Sequence, residues 1–156
     1  MCLVDEFSGV GDPVLKAVIP GTPRPQGSLK IMTARNGRAF AKNSETTVEH
    51  RNLVVYALAH EWVGEPIQGP VAARFTFRFA RPTSHYGTGR NEGRLLPSAP
   101  ALHFRTPDVD KVTRLVCDAM TIAGVVKDDA LITALRAEKQ WTEGRSETVV
   151  EVWRLC

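Results

Sequence analysis

Cysteine, histidine and long apolar runs are scarce in this chain, and each shortage excludes a class of protein. The three cysteines (Cys2, Cys117 and Cys156) are too scattered for a disulfide framework or a cysteine zinc site. The four histidines never recur at the i and i+4 spacing of a helical zinc site. The longest apolar run, Leu53 to Ala59, is far shorter than the roughly 20 residues that span a membrane. We therefore expect a protein of the reducing cytoplasm with no membrane partner.

Length and composition indicate one ordinary globular domain. The chain has 156 residues, of which 43% are apolar and 24% are charged. Residues 1–13 are aperiodic and contain Gly and Asp, so we expect a flexible N-terminal tail. Residues 14–156 then form a single domain.

Charge is distributed unevenly although the formal net charge is only +3. Residues 20–51 contain six basic residues and two acidic ones, and residues 74–105 contain six arginines and one glutamate. Residues 106–147 instead contain eight acidic residues and six basic ones. Basic stretches beside a carboxylate cluster are typical of a metal-dependent enzyme that acts on nucleic acid. A solvated basic surface would give the same counts.

Hydrophobic periodicity predicts a small α+β domain. Strands are predicted over residues 14–19, 29–33, 38–41, 71–79, 131–141 and 148–153. The second and third strands form a hairpin around Asn36-Gly37, and residues 142–145 resemble the turn of another hairpin. One helix begins at Asn43 or Ser44 and runs to about Val63, and a second spans residues 108–124. We expect a mixed sheet of about five strands with these two main helices packed on it.

Apolar spacing also predicts which face of each helix is buried. For the first helix the predicted apolar residues are Val48, Leu53, Val55, Leu58, Ala59 and Trp62. For the second they are Val112, Leu115, Val116, Ala119 and Ala123.

The aspartates around the second helix carry the chemistry that we predict. Asp108 and Asp110 stand at its start, where two carboxylates can converge, and Arg114 lies one turn after Asp110 on the same face. Asp128 and Asp129 follow the helix after a short turn, so the chain can bring them near the first pair. Four carboxylates gathered together favour a hard cation such as Mg²⁺ or Mn²⁺.

A purely structural interpretation of these acids stays open. Asp108 would then be a helix cap, Asp110 an acid that complements the helix dipole, and Asp128 with Asp129 a solvated turn. Asp118 is interpreted as a solvated or salt-bridged helix residue outside the site.

Several motifs together resemble the RusA family of Holliday-junction resolvases, which is common in bacteriophages and prophages. They are Pro20-Gly21-Thr22-Pro23-Arg24-Pro25-Gln26-Gly27-Ser28, Pro107-Asp108-Val109-Asp110, Arg114, Asp118-Ala119-Met120, Lys127-Asp128-Asp129-Ala130-Leu131-Ile132 and Glu138-Lys139. The resemblance spans residues 14–153. It implies a Mg²⁺-dependent endonuclease that acts as a homodimer on four-way and other branched DNA, in the host cytoplasm if the protein is phage-encoded. The essential acids would be Asp108, Asp110 and Asp129, with Asp128 adjacent.

Two positions depart from the family pattern. The family usually has Asn where this chain has Lys111, and a functional Lys where it has Arg114. Arginine keeps the positive charge but does not readily lose its proton, so an electrostatic role survives and a general-base role does not. Junctions, replication forks and other branched DNA all remain candidate substrates.

Basic and polar residues complete the predicted site. Arg114 would contact the scissile phosphate or its neighbour. Contacts to the flanking DNA backbone are predicted for Arg24, Gln26, Lys30, Arg35, Arg38, Arg105 and Lys111. The alternative is a non-catalytic module that binds branched or single-stranded nucleic acid.

Overall fold

A mixed sheet and two helices make up the structure, a computed structural model that describes residues 11–27, 30–42 and 45–155. In chain order the elements are β1 (Leu15–Pro20), β2 (Lys30–Thr33), β3 (Ala39–Lys42), α1 (Glu45–Glu61), β4 (Val71–Ala80), α2 (Val109–Ile122), β5 (Ile132–Thr142) and β6 (Glu147–Arg154). The predicted α+β class is confirmed. The expected caps of α1, Asn43 and Ser44, and most of the expected tail, residues 1–10, lie outside the described residues.

The four-stranded sheet has the order β1-β6-β4-β5. Strand β6 is antiparallel to both of its neighbours, whereas β5 is parallel to β4. The predicted hairpin between the last two strands is therefore wrong, because β4 lies between them. Strands β2 and β3 form a separate hairpin, as predicted, and Gly37 takes the positive φ of 80° that its turn requires.

One face of the sheet carries the hydrophobic core. The odd-numbered residues of β4, such as Phe75 and Phe77, point toward the helices and are fully buried. Val150 of β6 and Ala17 of β1 continue this face in register with Phe75. Burying each large apolar side chain contributes about 1.5–3 kcal/mol, so this face holds the helices on the sheet.

The opposite face of the sheet is polar and is organised by ion pairs. The Arg74 Nε lies 2.8 Å from a carboxylate oxygen of Glu151 on the neighbouring strand, and Arg78 pairs with Glu147 in the same way. Lys16 of β1 approaches Glu151 from the other side. These arginines, which contribute to the basic count of residues 74–105, are thus engaged within the sheet.

The helices differ in how well periodicity predicts their buried face. In α2 the buried residues are Val112, Leu115, Val116, Ala119 and Met120, close to the prediction. In α1 they are Thr47, His50, Val54 and Leu58, whereas Leu53 and Ala59 are exposed. The predicted buried face of α1 is therefore wrong. Two of its four buried residues are polar, and a search for apolar spacing cannot find them. Neither described α-helix combines the length and the apolar character that a membrane crossing needs.

Candidate active site

The first turn of α2 presents the predicted pair of aspartates. Asp108 occupies the N-cap position, but its side chain makes no capping hydrogen bond. Its carboxylate instead lies 2.8 Å from the Lys111 ammonium. The hydrogen bond from Lys111 and the positive charge of that lysine hold the pKa of Asp108 below its usual value. The structure therefore places Asp108 at the helix start without giving its side chain the role of a cap.

Asp110 and Arg114 follow on α2, and both side chains are exposed. Asp110 lies in the first turn, where the helix dipole favours a negative charge. Within the described part of the chain, neither side chain has a hydrogen bond or an ion pair. Both groups are therefore available to a ligand.

A lysine on β5 holds the loop that leads into this turn. The Lys139 ammonium donates to the backbone carbonyl of Arg105 at 2.6 Å and to that of Pro107 at 2.9 Å. Its charge also lowers the pKa of Asp108, although less than Lys111 does. Sequence reasoning gave Lys139 no role. The only signal for it was its place in the Glu138-Lys139 motif.

The second pair of aspartates lies beside the middle of α2. An Asp128 carboxylate oxygen accepts a hydrogen bond from the Ala130 amide at 2.8 Å, which starts a short 3-10 turn. Asp129 is exposed, and the short turn that it begins contacts α2. Burial first, and then the nearby carboxylates of Asp129 and Asp118, raise the pKa of the Cys117 thiol to about 11.

The two aspartate pairs do not form one metal-binding cluster among the described residues. Asp110 and Cys117 are seven residues apart on α2, which corresponds to about 10 Å along its axis. Across residues 11–27, 30–42 and 45–155, no three side chains of His, Cys, Asp or Glu stand close enough together to hold a metal ion. The structure thus places the pairs along one helix without joining them.

The donor chemistry of these residues nevertheless fits Mg²⁺. Carboxylate oxygens are its preferred protein ligands. Mg²⁺ in phosphate-processing sites is commonly held by one or two carboxylates, with water and substrate phosphate as the other ligands. Asp108 and Asp110 supply two exposed carboxylates of this kind at the start of α2, and the Asp108 carboxylate is engaged by Lys111.

The opening loop contacts α2 through Gln26. Its backbone amide donates to the Lys111 carbonyl at 3.0 Å, and its side-chain amide donates to an Asp118 carboxylate oxygen at 2.9 Å. The Gln26 side-chain oxygen is buried without a hydrogen-bond partner among the described residues. Asp118, which the sequence interpretation left outside the site, thus anchors a loop that was predicted to bind DNA.

Four of the other predicted DNA contacts lie on exposed loops. Arg24, Arg35, Arg38 and Arg105 are exposed, and the two central ones flank the β2–β3 turn. Lys111 is engaged with Asp108, and the side chain of Lys30 lies outside the described residues. Among the described residues, none of these four guanidinium groups forms an ion pair.

Comparison with protein-family models gives a match over most of the chain. The family model for endodeoxyribonuclease RusA matches residues 20–153, which include both aspartate pairs and the opening loop. The search of curated proteins gives no significant match. Because the family model covers most of the chain, the chain belongs to the RusA endodeoxyribonuclease family.

Proposed function

We propose that this chain is a Mg²⁺-dependent, structure-selective endonuclease that hydrolyses phosphodiesters at Holliday junctions or other branched DNA. The observation that carries the proposal is the start of α2 in a chain of the RusA family, where Asp108 and Asp110 present two exposed carboxylates. Arg114 follows one turn after Asp110 and has no ion-pair partner among the described residues.

Each residue of this turn has a distinct role in the proposal. Asp108 and Asp110 would hold the ion, and Asp129, with Asp128 adjacent, would join them when DNA is bound. Mg²⁺ would lower the pKa of the attacking water and offset negative charge on the phosphate, and Mn²⁺ could replace it. Arg114 would bind a non-bridging oxygen of the scissile phosphate or of its neighbour. Water adds to phosphorus, and the phosphorus bond to the leaving oxygen breaks.

The exposed arginines support binding of a polyanion. Arg24, Arg35, Arg38 and Arg105 would neutralise backbone phosphates on either side of the cut. A four-way junction presents two equivalent strands, and each chain has one candidate site. We therefore propose a homodimer whose two-fold axis matches that of the junction. We expect it to act in the cytoplasm.

A labelled synthetic four-way junction tests the proposal. The parent protein should cut the junction in Mg²⁺ and bind it without cutting in EDTA. Asp110→Asn removes a metal-binding charge from a nearly isosteric side chain, so cleavage should fall by at least about a hundredfold. In EDTA the variant should bind at least as tightly as the parent, because it repels the phosphate less.

The matched control is Glu61→Gln, which removes one exposed carboxylate at the end of α1. It should leave cleavage and binding unchanged. Near-parental cleavage by Asp110→Asn would contradict the proposed site. Binding by the parent without cleavage in any divalent metal would indicate a non-catalytic DNA-binding module.

A further inference from the structure

Two large apolar side chains project into solvent just before the candidate active site. Leu102 is 75% exposed and Phe104 is 74% exposed, whereas His103 between them is only 8% exposed. The segment thus points one ring inward and two apolar groups outward. Exposed apolar groups beside a functional site commonly mark a binding surface.

The inward-pointing histidine fixes this segment on the end of the sheet. Its ring stacks on Phe79 of β4 with a centroid distance of 4.1 Å, and it lies 4.3 Å from the Trp141 ring of β5. The Arg81 guanidinium donates to the Pro100 carbonyl at 2.8 Å, before the exposed pair. Lys139 holds the backbone after it. Phe104 is therefore held in place from both sides.

The stretch of chain that contains the exposed pair is positively charged. No acidic residue occurs from Gly93 to Pro107, and Arg94 and Arg105 lie on either side of the pair in the chain. Asp108, the first acid after this stretch, belongs to the candidate metal site. An apolar projection among cations, four residues before that site, matches a ligand that has both phosphates and aromatic faces.

We propose that Phe104, supported by Leu102, is a wedge that opens a base step at the branch point of the DNA and stacks on the exposed base. This inference rests on the proposed function and adds the element that distinguishes branched from linear DNA. Every base has a π face, so an aromatic side chain can stack on it whatever the sequence. Phe and Leu are also among the side chains that proteins insert between base steps. The free-energy cost of unstacking a base is smaller at a branch point than within a continuous duplex, because stacking is interrupted there.

A second copy of the chain is a poorer occupant for this surface. In a two-fold contact through Phe104, Arg105 of one copy would approach Arg105 of the other, and like charges repel. A stable protein interface also buries about 800 Å² on each partner, more than a Phe and a Leu provide.

Equilibrium binding in EDTA tests the wedge without cleavage. A synthetic four-way junction carries 2-aminopurine at the branch point, and a linear duplex of the same sequence serves as reference. Phe104→Ala should lose roughly fivefold to a hundredfold in affinity for the junction and change by less than about twofold on the duplex. The rise in 2-aminopurine fluorescence that the parent causes should be lost. Phe104→Tyr, which keeps an aromatic face, should behave like the parent.

Tyr56→Ala is the matched control, because it removes an aromatic side chain that is 72% exposed on α1. It should leave both affinities and the fluorescence unchanged. An equal loss on junction and duplex, or no loss, would overturn the wedge. A Phe104→Ala protein with parental selectivity and an altered sedimentation coefficient would instead assign Phe104 to an interface between copies. If the parent itself does not prefer the junction, the proposed function fails and the wedge fails with it.

Discussion

Replacing Lys139 by Met should loosen the loop that carries Asp108. The substitution keeps a long side chain on β5 but removes both hydrogen bonds to the carbonyls of Arg105 and Pro107. Hydrogen bonds from a charged donor contribute about 1.5–3 kcal/mol each. One of these two is exposed, and the lysine regains hydration on unfolding. We therefore expect a total loss of about 2 kcal/mol, which lowers the melting temperature of a chain of this size by about 4–8 °C.

Cleavage should suffer more than stability, because the loop sets the position of Asp108. A displacement of about 1 Å in a reacting group can cost about a hundredfold in rate. We expect single-turnover cleavage of a saturating junction at 25 °C, where both proteins are folded, to fall between about tenfold and a hundredfold. The dissociation constant for a linear duplex, measured in EDTA, should stay close to that of the parent, because neither Lys139 nor the Phe104 wedge contributes to duplex binding.

Arg145→Met is the control, since it removes an exposed cation from the turn between β5 and β6. It should change neither melting nor cleavage. An unchanged melting temperature in Lys139→Met would mean that the two hydrogen bonds contribute nothing to stability. A lower melting temperature with parental cleavage would refute the link between Lys139 and the position of Asp108.

Three further predictions follow from charge and symmetry. Replacing Arg35 and Arg38 together should reduce the slope of log affinity against log salt by roughly 0.7 to 0.9 for each arginine that contacts phosphate, and an unchanged slope would place both in solvent. Burial raises the pKa of Glu151, but the hydrogen bond and charge of Arg74 and the charge of Lys16 outweigh it and lower the pKa overall. Glu151 therefore stabilises the fold above its ordinary pKa of about 4.3, and this contribution is lost as the pH falls through the lowered pKa. Urea midpoints measured from pH 6 downward should fall more steeply for the parent than for Glu151→Gln, and parallel curves would contradict the pairing. Sedimentation at micromolar concentration should give a dimer, and a fully active monomer would refute the proposed two-fold match with the junction.

Local sequence patterns predicted the individual strands and helices well, but they did not predict which strands pair with each other. The alternation of Phe75, Phe77 and Phe79 with polar residues predicts β4 correctly, because a strand with one buried face repeats every two residues. The short connection after β5 likewise predicts a hairpin between β5 and β6, but in the structure β4 lies between these two strands. The strand order depends on which apolar faces complete the core. Sequence near the turn contains no information on β4, which lies more than 60 residues earlier.

The candidate site also has a part that the sequence predicts and a part that it does not. The placement of Asp108, Asp110 and Arg114 on α2 follows from helix-start signals and spacing, which are local. The hydrogen bonds from Gln26 to Asp118 and from Lys139 to the Arg105 carbonyl join residues 92 and 34 apart in the chain. Periodicity cannot predict such contacts, because both partners are polar and belong to different elements.

The position of β6 has a consequence for the synthesis of the protein. It lies between β1 and β4 and provides all the strand pairing that β1 has in the described sheet. A nascent chain that has emerged only as far as residue 146 therefore holds β1 without the strand that joins it to β4. Such long-range pairing is slow to form, since the ends of a large loop must meet first. We therefore expect β1 to join the sheet only after residue 154 has left the ribosome.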